Sequence, residues 1–324
     1  DSLNASTGNN FNAASYNGGQ LAGFRNKIIN GSMEIMQRYA AGSSYTTSAN
    51  NLGGSYLATD RWKYNASTTG GTITTSQQID APANSSLYYS YRLSVATLPT
   101  IGASNWSAIT QSIEGYNARE LANTTFTLSF WVKATKTGTY CISLLNSAQD
   151  VVYLTEYTVS ASNTWEYKSI TVSGGIPAST GTWDWTNGTG LSVRFALAAG
   201  VNRQLNTTGT WLTSPFATPT GLTPFATSNQ VNALDAVSNI FAITGVQVEP
   251  GSVATLFEYR LFPVELALCQ RYYEKSFDYA TAPAQNTNIN EGAFYAVGQV
   301  TNQLFGGTVF FKVSKRAKIG RAHV

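Results

Sequence analysis

Residues 125–134 read TFTLSFWVKA. Phe126, Leu128, Phe130 and Val132 fall on one side of an extended chain. Thr127, Ser129, Trp131 and Lys133 fall on the other. Successive side chains of a strand point to opposite faces, so this alternation predicts a β-strand with one buried face. The same period recurs on both sides of it. LYYSYRLSVA (87–96) sets Leu87, Tyr89, Tyr91, Leu93 and Val95 on one face, and LSVRFALA (191–198) does so with Leu191, Val193, Phe195 and Leu197. YLATDRWKYN (56–65), SAITQSIEG (107–115), GTYCISLLN, VVYLTEYTV, TWEYKSITV, NIFAITGVQVE and VATLFEYR complete the series, with Gly, Asn and Ser turns between them. Short alternating strands at such spacing predict an all-β antiparallel sandwich or barrel.

Composition agrees. Charged residues are 11% of the 324-residue chain, against a usual ~25%. Helix surfaces carry Glu, Lys and Arg because these lose little rotamer freedom there, so a chain this poor in them is not mostly helical. PVELALCQRYYEKS (263–276) is the one persuasive helix: Pro263 suits its first turn, Glu265 lies near its start and Lys275 near its end. Residues 1–26 are Gly- and Asn-rich without sustained periodicity and read as a stalk-like linker. KIINGSMEIMQR (27–38) opens the ordered part, with Met33 and Ile35 facing inward. The pattern fails over 199–238, which reads as one long surface loop. EGAFYAVGQV and GGTVFFKVSKRA, within 277–318, read as the start of a second, truncated β-domain. Residues 319–324, IGRAHV, are what a common sequencing adapter encodes; His323, the single histidine, is then foreign to the protein, and no imidazole chemistry is expected.

The net charge of +3 and the lack of a basic stripe give no footprint for nucleic acid. No apolar run reaches the ~18 residues of a membrane span. The chain opens at Asp1 with no secretory signal. Cys141 and Cys269, in a strand and a helix, read as buried core thiols.

Taken in order, NKIINGSMEIMQR, DRW (60–62), QSIEG (111–115), TLSFWVKA (127–134), FAITGVQVEPGSVATLFEYR and LCQRYYEKS resemble a family of phage virion proteins. These are tail-fibre or adhesin-like proteins of marine and environmental phages, built around a carbohydrate-binding-module-like jelly roll. The resemblance covers about residues 27–276. It implies a jelly-roll domain over 27–262, a connecting helix over 263–276, a virion location and a non-enzymatic role. It also implies a homotrimer that contacts host cell-surface glycan and other virion proteins. In it, ITGVQVEPGSVATLFEYR is the last hairpin, turning at Pro250-Gly251, with Phe257 against the core and Arg260 leading to the helix.

The most site-like stretch is GTWDWTNGTG (181–190). Trp183 and Trp185 are i and i+2, hence on one side of an extended segment. Asp184 and Asn187 lie beside them. Aromatic planes with carboxylate and amide groups suit a sugar, which stacks its C–H face and shares its hydroxyls. Trp211 joins this candidate carbohydrate site; Trp106 and Tyr116 are weaker members. The structural alternative packs Trp183 and Trp185 under the long loop or at a subunit contact, as in a decoration or collar protein. A depolymerase needs two facing carboxyls. Asp150, Glu156, Glu166 and Asp184 are available, but their spacing selects no pair and no catalytic residue is assigned. No cofactor is expected. A structural calcium on oxygen ligands is compatible with a jelly roll, yet no loop has EF-hand spacing.

Overall fold

The computed structural model describes residues 23–40, 42–279, 281–283 and 311–317. Among the described residues, thirteen strands form two antiparallel sheets packed face to face. The six-stranded sheet runs β1 (Ser44–Ser48), β4 (Thr72–Gln78), β5 (Ser90–Thr97), β13 (Ile240–Pro250), β7 (Phe126–Ala134) and β10 (Glu166–Val172). The seven-stranded sheet runs β12 (Trp211–Thr213), β9 (Val151–Val159), β8 (Gly138–Leu145), β11 (Thr189–Ala199), β6 (Trp106–Glu114), β3 (Lys63–Ser67) and β2 (Asn51–Ser55). The chain repeatedly crosses from one sheet to the other, as a jelly-roll sandwich does.

The alternating positions build the core. Phe126, Leu128, Phe130 and Val132 of β7 meet Leu191, Val193, Phe195 and Leu197 of β11, all fully buried in one cluster. Phe195 lies edge-on to Phe130 at 5.0 Å between ring centroids. Such pairs add ~0.5–1.5 kcal/mol beyond area burial. Tyr91, Leu93 and Val95 face the same core as expected. Leu87 and Tyr89 precede β5, which starts at Ser90.

Strand β13 changes phase within its length. Phe241 and Ile243 point inward, then Val246 and Val248 do. A bulge makes the switch, since Thr244 faces Trp131 and Gln247 faces Ser129 across β7. Gly245 sits in it at φ 58, a left-handed conformation that glycine adopts without Cβ strain. The slip sends Gln247 and Glu249 to the outer face. Glu249 accepts from Thr255 N–H at 2.8 Å and Thr255 Oγ1 at 2.6 Å; Gln247 Oε1 accepts from Glu258 N–H at 2.8 Å. Residues 251–261 are therefore a strap pinned across the sheet, not the returning strand of a hairpin. The Thr255 and Glu258 N–H groups of the strap are thus satisfied by side chains rather than by a strand partner. Phe257 rests half-buried at the 28–33 turn, beside Gly31, rather than between the sheets.

Three other expectations need correction. Residues 199–238 are more than a surface loop. The outer faces of β6, β8, β9 and β11 carry Trp106, Ala108, Leu145, Val152, Leu154 and Ala196, which need cover. Phe216, Phe225 and Ala226 supply it, each buried. Residues 56–62 turn rather than extend, and β3 begins only at Lys63. Helix α2 spans Phe262–Gln270 and stops short of 276. Tyr272 and Tyr273 both donate their N–H to Cys269 O, which closes the last turn, and their rings turn to Arg61 and Arg38. A one-turn helix, α1 (Gly115–Ala118), follows β6.

The termini of the sandwich also differ in extent from the sequence reading. Asn26 is buried and donates to Val246 O at 3.2 Å, so packed chain begins before residue 27. Residues 1–22 and 318–324 lie outside the described residues, as does most of the expected C-terminal β-domain, 284–310. Within that expected domain, residues 311–317 form no strand and dock on the sandwich. Lys312 N–H donates to Glu274 at 3.0 Å, and Lys315 pairs with the same carboxylate. Cys141 and Cys269 are free and buried, and burial pushes both thiols up. No described helix is long and apolar enough to cross a membrane.

The α2 end is fastened to β6 by Glu114. Its carboxylate accepts from Arg271 Nε at 2.9 Å and from Tyr272 OH at 2.7 Å. Burial alone would raise its pKa, but the Arg271 and Tyr272 hydrogen bonds overrule it and hold the carboxyl below its ordinary 4.5. A depressed folded value means stability present above about pH 4.5 and lost as pH falls through the folded pKa. Glu114→Gln should therefore lower Tm at about pH 6 and flatten its decline between about pH 5 and 3. A variant whose pH profile parallels the parent's would show that this contact does not carry the acid response.

Candidate functional site

The site-like stretch lies in the β10–β11 connection, at the β12 end of the seven-stranded sheet. Its shape is set by close backbone contacts. Gly115 N–H donates to Gly188 O at 2.9 Å and Tyr116 N–H to Thr186 O at 2.8 Å, which ties the loop to the start of α1. A Cβ on Gly115 would strike the Asp184 carbonyl, and one on Gly188 would strike the Asp184 carboxylate. Gly115 must be glycine for the loop to close this tightly, because the clash there is with backbone; at Gly188 the Asp184 side chain would have to move.

Within it, Trp183 and Trp185 stack with ring centroids 5.6 Å apart and planes at 18°. The i, i+2 spacing thus places the two indoles side by side, as expected. Trp211, on β12, meets Trp183 edge-on at 5.7 Å, and Tyr153 lies 5.4 Å beyond it. All three Trp are half-buried against the rim of the core. Trp183 Nε1 donates to Thr180 O at 2.7 Å and Trp211 Nε1 to Gly175 O at 2.8 Å. Arg119 Nη2 holds the Trp185 carbonyl at 2.7 Å. The polar edges of Trp183 and Trp211 are spent inside the protein, so what these two side chains offer outward is apolar ring.

The two polar candidates are committed to the fold. Asp184 Oδ1 accepts from Thr186 Oγ1 and Thr186 N–H, both at 2.7 Å. The Thr186 hydroxyl, and then its N–H, hold this carboxyl below the usual carboxylate range. Asn187 exchanges hydrogen bonds with Arg316, Nδ2 to Arg316 O and Arg316 Nη1 to Asn187 O, each 2.9 Å. Of the weaker candidates, Trp106 is buried and stacked on Phe225 at 4.1 Å, so its face is taken. Tyr116 is exposed beside Arg119. Trp131 sits with Tyr167 at 5.3 Å on the outer face of the six-stranded sheet.

The four carboxyls weighed for hydrolysis are each engaged locally. Asp150 is held low by the Asn146 amide and by Thr182 N–H. Glu156 accepts from Thr227 and Asn229. For Glu166, burial would raise the pKa, but the Lys168, Ala161 and Ser160 hydrogen bonds outweigh it. Sequence reasoning passed over Glu34, which is raised by burial and then by the Glu265 charge. Glu34 lines a 510 Å³ cavity with Tyr89, Phe262 and Tyr279. Among the described residues, no three His, Cys, Asp or Glu side chains stand together as a metal site.

A second cavity, of 170 Å³, lies between the outer face of β6 and the end of α2. Arg38, Tyr56, Arg61, Lys63, Glu114 and Tyr272 are among its walls. No sequence pattern pointed to it, because its residues come from six separate stretches of chain.

The chain matches no protein-family model and no curated protein. Among solved structures it is similar to the enzymatically active domain of tailspike protein 4 of bacteriophage CBA120, at 18% identity and TM-score 0.36 over 71% of this chain. It spans 22% of that tailspike chain's length. It is also similar to a CBM4 structure, at 13% identity, TM-score 0.32, over 68% of this chain and 97% of that one. A family 11 carbohydrate-binding module from Clostridium thermocellum, in complex with a beta-1,3-1,4-mixed-linked tetrasaccharide, matches at 12% identity and TM-score 0.33, over 67% and 99%.

Proposed function

We propose that the chain is a non-enzymatic, glycan-recognising domain of a phage virion, of the tail-fibre type, working as a homotrimer on host cell-surface carbohydrate. The observation that carries the reading is the aromatic wall of Trp183, Trp185 and Trp211. Near-parallel indoles 5.6 Å apart give a ridge on which the C–H face of a pyranose can stack. The low charge of the chain suits neutral hydrogen bonding to hydroxyls. The virion assignment draws its support from the ordered sequence motifs over 27–276. Against Asp150, Glu166 and Asp184 as hydrolytic acids stands that all three are held below their ordinary range; a general acid for glycoside hydrolysis needs the opposite shift.

One observation favours a purely structural virion role instead. The three indoles pack on the core rim, as side chains that only cement the loop to the core would.

Glycan-array binding by the full chain and by a Trp183→Ala/Trp185→Ala variant, with mass from light scattering, separates the two. Under our reading the parent binds as a trimer and the folded variant loses at least about tenfold in affinity, the scale of a truncated aromatic anchor. A trimer that binds no glycan supports the structural role. Binding untouched by the variant moves the site elsewhere, and release of reducing ends from a bound polysaccharide would establish a depolymerase.

A further inference from the structure

The 170 Å³ cavity beside β6 has a chemistry different from the tryptophan wall. Its geometry begins with the DRW motif. Trp62 is fully buried with Nε1 donating to Asn30 O at 2.9 Å, and Asp60 is buried beneath Arg38 and Gln37. Arg61 lies between these two inward-facing residues at φ 75. A bulky side chain seldom adopts this left-handed backbone, which is strained and collects at functional sites. The effect is to swing the Arg61 side chain outward over β6. There Nη2 donates to Ser112 O, and the guanidinium lies 3.4 Å from the Tyr272 ring centroid.

Arg61 is 6% exposed, yet its Nε has no hydrogen-bond partner among the described residues. It lines the cavity and has no carboxylate partner there. Lys63 and Arg316, also in the walls, form no ion pair among the described residues either. The two carboxylates in the walls are already answered: Asp60 pairs with Arg38 at 3.1 Å, and Glu114 with Arg271 and Tyr272. The rim is aromatic, since the Tyr56 ring lies under both Arg38, at 4.5 Å, and Lys63, at 5.0 Å. Arg61 and Lys63, two cations without an ion pair, lie beside tyrosine faces in a space below the ~300 Å³ of drug-sized ligand pockets, which suits one small ring carrying negative charge.

We infer that this cavity is a second saccharide subsite, selective for a pyranose that bears an anionic group, a carboxylate or a sulfate ester. It rests on the reading of the chain as a glycan-binding domain, but it uses none of the three tryptophans. Arg61 and Lys63 take the anion, and the tyrosines border the ring.

The test is calorimetric titration of the full chain with D-glucuronate, D-glucose 6-sulfate, D-glucose and inorganic sulfate, at low and high salt. Binding by either or both charged sugars, at least about fivefold tighter than by glucose and weakened by salt, is expected. The glucuronate and sulfate-ester arms say which source of charge is preferred. Lys63→Gln, at a half-exposed strand position, should weaken binding about tenfold while the melting temperature holds. Arg61→Gly removes the guanidinium and suits the φ of 75, so it should fold and also lose binding. Trp183→Ala/Trp185→Ala should leave this titration unchanged, which keeps failure of the tryptophan reading separate from failure of this one. Glucose binding as tightly as glucuronate, inorganic sulfate binding as tightly as the sulfated sugar, or charged-sugar binding indifferent to Lys63→Gln would overturn the subsite.

Discussion

Arg260→Met should destabilise the domain by about 3–5 kcal/mol, the cost of stripping one partner from a buried charge cluster. For a fold of this size that is a fall in Tm of roughly 6–20 °C, at about 2–4 °C per kcal/mol. Arg260 stands where the sandwich is entered and left. Nη1 donates to Ile28 O at 3.1 Å and to Glu265 at 3.2 Å; Nη2 donates to Asn26 O and reaches Glu258 at 3.4 Å. Glu258 in turn accepts the N–H groups of Arg25 and Asn26 at 3.0 and 2.9 Å, and Glu265 that of Asn30. One guanidinium thus binds the first packed residues, the strap and α2 into a single knot. Its side chain is 6% exposed, against 15% for Glu258 and 7% for Glu265. Methionine fills similar volume but leaves two carboxylates facing each other in a poorly solvated place. Arg260→Lys should recover part of the loss, because an ammonium restores the charge but not the planar fork. Thermal melts of the three proteins decide it, and a Met variant within about 2 °C of the parent would mean that the knot adds little.

This knot also answers what the stretch 246–260 does. From the sequence it reads as a hairpin, since two apolar runs flank Pro250-Gly251. The structure keeps the first run as β13 and turns the second into a strap. The physical reason lies in Gln247 and Glu249. They look like the solvent side of a strand, but the bulge at Gly245 makes them buried acceptors and donors for the strap. A period-2 reading assumes a constant phase and misses such a slip.

Elsewhere, legibility followed burial. Strands β7 and β11 were plain because one face of each is fully apolar. Ser44–Ser48 and Asn51–Ser55 are strands without an apolar face, at the sheet edges, and gave no signal. The segment 199–238 looked featureless because Phe216, Phe225 and Ala226 cover an outer face at irregular intervals, with no repeat. At the candidate site, the Trp183–Trp185 pairing was readable, since i, i+2 geometry is local. Trp211 joins them through the β12–β9 pairing, which no spacing reveals. The cavity around Arg61 was unreadable for a stronger reason. It depends on one residue with positive φ and on contacts to Ser112, Tyr272 and Arg316, far away in sequence.

Arg194→Met should act in the opposite direction to Arg260→Met and stabilise the domain. Arg194 is on the outer face of β11, in register with Thr110 of β6 and Ser143 of β8. It is 7% exposed beneath Phe225. Its Nε and Nη1 have no partner among the described residues, and neither do the hydroxyls of Thr110 and Ser143 in the same row. No described carboxylate pairs with it. Burial, and then the charge of Arg203, lower its pKa to about 10. Against that desolvation stand the faces of Phe225 at 4.6 Å and Trp106 at 5.9 Å, worth about 2 kcal/mol when desolvated. Replacing even a buried ion pair by apolar side chains of similar volume is often neutral or gains about 1–4 kcal/mol, and Arg194 has no pair to lose. The balance favours methionine, which keeps the contact with Phe225 and removes the cost of the buried charge. A rise in Tm of about 2–6 °C is expected, with Arg194→Ala lower than the Met variant because it opens a gap under Phe225. A Met variant that melts below the parent would show that the guanidinium is held by more than two aromatic faces. The two arginines look alike in sequence and in exposure; what separates them is whether carboxylates and carbonyl oxygens converge on the guanidinium.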